Sequence, residues 1–93
     1  MEKKLEFYMT AGIAADMDSD INFACEIGNI IFRFTCNDWG DLCSEDHFSN
    51  KQALKEGGRI LGAYETTRGR VYMITDDALA TPKVTTILYA SEY

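Results

Sequence analysis

Between residues 19 and 36 the polar side chains fall almost entirely on one line. Asn22, Glu26, Asn29 and Arg33 succeed one another at spacings of four, three and four. On a helix that spacing makes a single narrow wet stripe. Nearly every other position is apolar, from Ile21 and Phe23 to Phe32 and Phe34. A helix with so thin a polar face must be covered on most sides. A sheet covers one side, and the rest falls to a second helix or to a partner subunit, so a homodimer is among the expected assemblies. Gly28 in mid-helix costs about 1 kcal/mol against Ala, which suits a close backbone approach. Asp18 or Ser19 is the expected N-cap, and Cys25, on the apolar side, is expected in the core.

The surrounding chain alternates differently. Over residues 4–11, Leu5, Phe7, Met9 and Ala11 point one way and Lys4, Glu6, Tyr8 and Thr10 the other, the mark of a half-buried strand. Residues 12–18 read as a short connection. A second, short helix is signalled by Ser49 with Gln52 as a capping box, by Phe48 with Ala53 in the staple positions, and by Gly57 as its C-terminal residue. Strands follow over residues 59–65, 70–75 and 84–89. The first two form a hairpin across Thr66, Thr67, Arg68 and Gly69, and a turn around Asp76, Asp77 and Pro82 precedes the last. The expectation is one α+β domain over residues 1–93, in the order β-α-α-β-β-β. It has an antiparallel four-stranded sheet with two helices on one face.

Length and composition set the outer bounds. A chain of 93 residues, 46% hydrophobic, supports one core and no more. No apolar run reaches the roughly 18 residues of a membrane span, and the lysines at positions 3 and 4 precede no apolar stretch, so the cytoplasm is expected. The three cysteines, Cys25, Cys36 and Cys43, follow no framework spacing, which suits reduced thiols. The net charge of −6 is lopsided: residues 1–48 hold ten acids and three bases, residues 49–93 five acids and six bases. An acidic half argues against direct nucleic-acid binding, which needs a positive footprint. It fits either simple solubility or competition for a basic groove on another protein.

Residues 38–47 concentrate polar chemistry: four carboxylates (Asp38, Asp41, Glu45, Asp46), the only Trp (Trp39), Cys43 and the only His (His47). Such a loop is either a functional surface or a tightly bonded turn. As a metal site it lacks the paired soft ligands of zinc and the regular acidic loop of calcium, so no metal and no cofactor are expected. Cys43 and His47 are one helical turn apart, but neighbouring carboxylates would raise the thiol pKa rather than lower it. Gly57 and Gly58 follow a helix instead of opening one, so they offer no anion site. No catalytic residue is therefore assigned. Tyr64, Tyr72, Tyr89 and Tyr93 are candidates for an aromatic cluster on the sheet, with Tyr64 and Tyr72 as cross-strand neighbours. That cluster is either a binding face or a covered one.

Five blocks carry a resemblance: DWGDLCSED (38–46), NKQALKEGGRILGAY (50–64), VYMIT (71–75), TTILY (85–89) and EY (92–93). Together they resemble a family of small proteins encoded on phages, plasmids and conjugative elements of Firmicutes. The likeness spans roughly the last two-thirds of the chain. Members are sometimes labelled restriction-modification subunits, yet this chain has neither a methyltransferase nor a nuclease motif. It also departs at residues 77–83, where relatives often carry a Trp-Asp-Arg-like segment. The resemblance implies a non-enzymatic inhibitor of a host CRISPR or restriction effector, of anti-CRISPR or anti-restriction type. Its partner would be a protein, docked as a DNA mimic through Asp38, Asp41, Glu45 and Asp46, with Asp16, Asp18 and Asp20 if these lie nearby. Trp39 and exposed tyrosines would serve as anchors. The alternative is a regulatory or structural homo-oligomeric module that binds an element-encoded partner without catalysis.

Overall fold

A computed structural model describes residues 5–93. In chain order it contains β1 (Leu5–Met9), α1 (Ala11–Ser19), α2 (Ile21–Thr35), α3 (Ser44–Glu56), β2 (Ile60–Thr66), β3 (Gly69–Thr75) and β4 (Lys83–Tyr89), and closes with a 3₁₀ turn, Ala90–Glu92. Lys4, the expected first residue of β1, lies outside the described residues. The domain is α+β, with helices on one side of a four-stranded sheet of order β1-β4-β3-β2.

Two features differ from the expected architecture. The sheet is mixed, because β1 pairs parallel with β4 while β3 pairs antiparallel with both β2 and β4. A parallel partner needs a long crossover, and the helical segment between Met9 and Ile60 supplies one. There are also three helices. Residues 12–18 are α1, begun by Thr10, whose Oγ1 accepts from the Ile13 amide (3.4 Å). Gly12 reads as a loop marker, but in the first helical turn it is tolerated, and the alanines that follow carry the helix. Only Ile13 of α1 is fully buried, so the periodicity is faint.

The N-cap of α2 is Asp20, one or two residues after the expected Asp18 or Ser19. Its Oδ1 accepts from the amides of Asn22 (3.0 Å) and Phe23 (3.2 Å), and its extended backbone breaks α1 from α2. Phe23, Ile27, Ile30 and Phe34 form the buried stripe. The polar stripe does not face open water throughout. Glu26 accepts from the Thr67 amide (3.1 Å) and hydroxyl (2.6 Å), holding the hairpin turn, and Arg33 turns to Asp38. Cys25, expected in the core, is exposed, as are Cys36 and Cys43.

Helix α3 begins at Ser44, five residues before the expected capping box, so Ser49 is an ordinary exposed helical position. Phe48 is 63% exposed and staples nothing. Gly57 does end the helix, with φ of 88° and its amide donating to Ala53 O (2.8 Å). The signal at Ser49 misleads because the true start has no side-chain cap; Glu45 and Asp46 favour it through the helix dipole instead.

Strand parity sorts the sheet. Ile60, Tyr64, Val71, Met73 and Ile87 enter the core beneath the helices. Tyr72 lies opposite Ala63, and Tyr64 opposite Val71, so the two tyrosines are not cross-strand neighbours and point to opposite faces. Tyr72 meets Tyr93 edge-on at 5.9 Å on the opposite face, where Arg59 Nη1 donates to Tyr93 Oη (2.6 Å).

The free edge of β2 is closed by side chain and loop. Asn50, only 2% exposed, donates to Leu61 O (2.8 Å) and accepts from Leu61 N (3.1 Å). Asn50→Leu keeps the volume but leaves both groups of Leu61 without a partner. The expected loss is about 2–3 kcal/mol, read as a drop of about 10 °C in Tm or more. A Tm within about 2 °C of the parent would show that the edge does not need this side chain.

Candidate functional site

The loop after α2 is fixed before it is functional. Asn37 takes a left-handed conformation (φ 62°) and turns the chain out of the helix. Trp39 then enters the core at 4% exposure. Gly40 bridges to Ala63 of β2: the Ala63 amide donates to Trp39 O (2.9 Å), and the Asp41 amide donates to Ala63 O (2.8 Å). A Cβ on Gly40 would sit 2.0 Å from that carbonyl oxygen, so only glycine fits. Trp39 is thus a structural post and not the exposed anchor expected of it; the bridge on either side commits its ring to the core.

The carboxylates separate into bound and free. Asp38 receives Arg33 Nε (2.7 Å), Arg33 Nη2 (3.2 Å) and the Gly40 amide (3.2 Å). Arg33 first, then the Gly40 amide, hold its carboxyl below the usual carboxylate range. At the other end of α2, Arg68 lies between Asp16 (3.5 Å) and Asp20 (3.3 Å), with its guanidinium 5.7 Å over the Phe23 ring. The Phe23 amide is the main cause of the lowered Asp20 pKa. Asp18 is exposed. The two acidic groups do not adjoin: the length of α2, about 1.5 Å per residue, sets them roughly 20 Å apart. The seven carboxylates therefore form two smaller surfaces and not one, and Arg33 and Arg68 between them pair with three of the seven.

What stays outward beside the loop is Asp41, Glu45 and Asp46. All three side chains are exposed, and none has an ion-pair partner among the described residues. Arg70 comes close but donates to the Asp41 carbonyl (2.8 Å) and pairs with Glu65 (2.7 Å). His47 lies beside Trp39, ring centres 5.9 Å apart. Among the described residues, no three or more His, Cys, Asp or Glu side chains converge as a metal site would need. A cleft of about 90 Å³, lined by Phe7, Phe34, Trp39, Leu54 and Ile60 with Lys83 at its edge, is far smaller than the roughly 300–1,000 Å³ of metabolite sites. No helix of the described residues is long and apolar enough to cross a membrane. No family model, curated protein or solved structure matches the chain.

Sequence reasoning missed the cluster joining Tyr89, Asp16 and Arg68. Tyr89 OH donates to Asp16, and its ring stacks on Phe23 at 6.0 Å. Nothing local in the sequence signals it, since Asp16 and Tyr89 are 73 positions apart. Burial first, then the Asp16 carboxylate, push Tyr89 up to about 12. Tyr64, which donates to Asp38 O (2.8 Å), is raised as well, chiefly by burial. A raised tyrosine stabilises the fold fully below its unfolded pKa near 10, and the contribution disappears as pH rises through the folded value. Tm should therefore fall between about pH 10 and pH 12, and Tyr89→Phe should flatten that fall. Identical slopes for the two proteins would contradict the assignment.

Proposed function

We propose that the protein is a non-enzymatic inhibitor that binds a host protein complex directed at nucleic acid, in the manner of an anti-CRISPR or anti-restriction protein from a mobile element. The docking surface is the start of α3 with the end of the preceding loop, and Asp41, Glu45 and Asp46 present the charge. The observation that carries this reading is that these three carboxylates are exposed, with no ion-pair partner among the described residues, on a frame held by Trp39, Gly40 and Ala63. A fixed frame lowers the ordering cost of binding. Spaced anionic groups on such a frame suit a channel whose Lys and Arg side chains receive a phosphate backbone. Asp38 contributes position more than charge, being held by Arg33, and Asp16, Asp18 and Asp20 are too distant to share one groove edge with it. The partner is a cytoplasmic protein, and nucleic acid is not bound directly.

Titration against a purified nuclease effector at several salt concentrations tests this. Affinity should fall as salt rises, and Asp41→Asn, Glu45→Gln and Asp46→Asn together should weaken binding by about tenfold or more, mainly through association rate. The three substitutions should lower Tm by only a few degrees, the share that Glu45 and Asp46 contribute to the start of α3 through the helix dipole. Affinity that is independent of salt, or equal in the triple variant, would remove the acidic docking mode.

A further inference from the structure

We propose that α2 is also a two-fold interface, packing antiparallel against α2 of a second copy of this chain. The buried stripe of α2 is Phe23, Ile27, Ile30 and Phe34, at spacings of four, three and four. Two residues earlier the same spacing recurs in Ile21, Cys25, Gly28 and Phe32. Two positions are about 200° around a helix, so this second stripe faces almost directly away from the core. Ile21 is 77% exposed and Phe32 67% exposed. Cys25 is exposed, and a Cβ built on Gly28 meets nothing within 4 Å. No close approach to Gly28 is made within the chain's described residues, so its free face is available to another chain.

The order of large and small side chains along the stripe suits a second copy of the same helix. Ile21 and Phe32 lie equally far on either side of the point midway between Glu26 and Ile27, and so do Cys25 and Gly28. An antiparallel two-fold through that point sets each Phe32 against Ile21 of the second copy and each Cys25 against its Gly28. Large side chains thereby meet at both ends, and the small pair in the middle lets the backbones approach, the self-complementary pattern a two-fold contact requires. Charge agrees with this choice. The stripe holds no charged side chain on a chain of net charge −6, so two copies meet without setting carboxylate against carboxylate. A strongly basic partner would find nothing there to pair with. Two large and two small side chains from each copy bury less than the roughly 1,200 Å² of a tight interface, so the dimer exchanges and forms in the micromolar range.

The geometry yields a covalent reporter. Each Cys25 lies one and a half residues from the two-fold, so the pair is about 4.5 Å apart along the axis. At an interaxial distance of about 8 Å, their Cα atoms fall within the roughly 4.4–6.8 Å that a disulfide spans. The oxidation joins two thiols with loss of two electrons and two protons to an added oxidant such as diamide.

The test uses the full chain. Sedimentation from about 5 to 500 μM should show a monomer–dimer equilibrium that strengthens with salt, as screening relieves repulsion between two anions. Phe32→Glu should weaken dimerisation by about tenfold or more without lowering the Tm of dilute protein, because Phe32 is exposed. Gly28→Leu should raise that Tm, since glycine is the poorer helix former, and yet weaken the dimer. Under diamide, protein retaining only Cys25 should cross-link, and proteins retaining only Cys36 or only Cys43 should not. A chain that stays monomeric throughout that range, an unaffected Phe32→Glu dimer, or equal cross-linking through all three cysteines would overturn the proposal. The opposite salt dependences keep this result separable from the acidic docking mode.

Discussion

The outer edge of β2 is the point on which the site depends. A sheet edge leaves a row of amides and carbonyls without partners, and each one that is neither paired nor hydrated costs free energy. Here Leu61 is satisfied by the side chain of Asn50, and Ala63 by the backbone on either side of Gly40. These contacts seat α3 and the preceding loop at once. They commit Trp39 to the core, and they fix the direction in which Asp41, Glu45 and Asp46 leave the surface. Tyr64 adds a third tie from inside, donating to Asp38 O while Arg33 stacks 5.0 Å over its ring.

Arginines set how much negative charge is displayed. Arg33 holds Asp38 at the C-terminal end of α2, and Arg68 reaches from the β2–β3 turn to Asp16 and Asp20 at the N-terminal end. Each pair is partly exposed, so its contribution to stability is small. The consequence is more geometric than energetic: the hairpin tip, α1 and α2 are registered together, with Glu26 gripping Thr67 from the same side. Net charge counted from the sequence therefore overstates what a partner would meet.

Much of the architecture is legible in the sequence because it is carried by local periodicity. The three C-terminal strands are β-prone runs bounded by turn residues and α2 has a strong helical pattern, and the structure places all four within a residue or two of the expected bounds. The misreadings share a different origin. Residues 11–19 bury one side chain, so no stripe announces α1. The direction of β1 is set by a crossover of some fifty residues, which no local pattern encodes. Trp39 lies within a polar decapeptide, and its burial follows from a bridge to Ala63, 24 positions later along the chain. In the polar stripe of α2, Asn22 and Asn29 are exposed as expected, while Glu26 is bonded to the hairpin and Arg33 to the loop, and the apolar residues around it form two stripes rather than one broad face.

That division of α2 bears on how the two proposed surfaces coexist on one chain. The carboxylates of the candidate site adjoin the two ends of α2, where capping and the Arg33 and Arg68 pairs anchor them, while the stripe of Ile21, Cys25, Gly28 and Phe32 carries no charge. Docking through Asp41, Glu45 and Asp46 needs a basic, desolvated groove and weakens as salt screens it. Pairing through Ile21 and Phe32 needs only apolar contact and strengthens under the same change. The two contacts draw on different faces and opposite electrostatics, so on these proposals neither excludes the other. A two-fold through α2 would instead present two copies of the acidic surface at a fixed separation. A target with paired basic channels would then bind the dimer more tightly than a single channel could, through effective concentration alone.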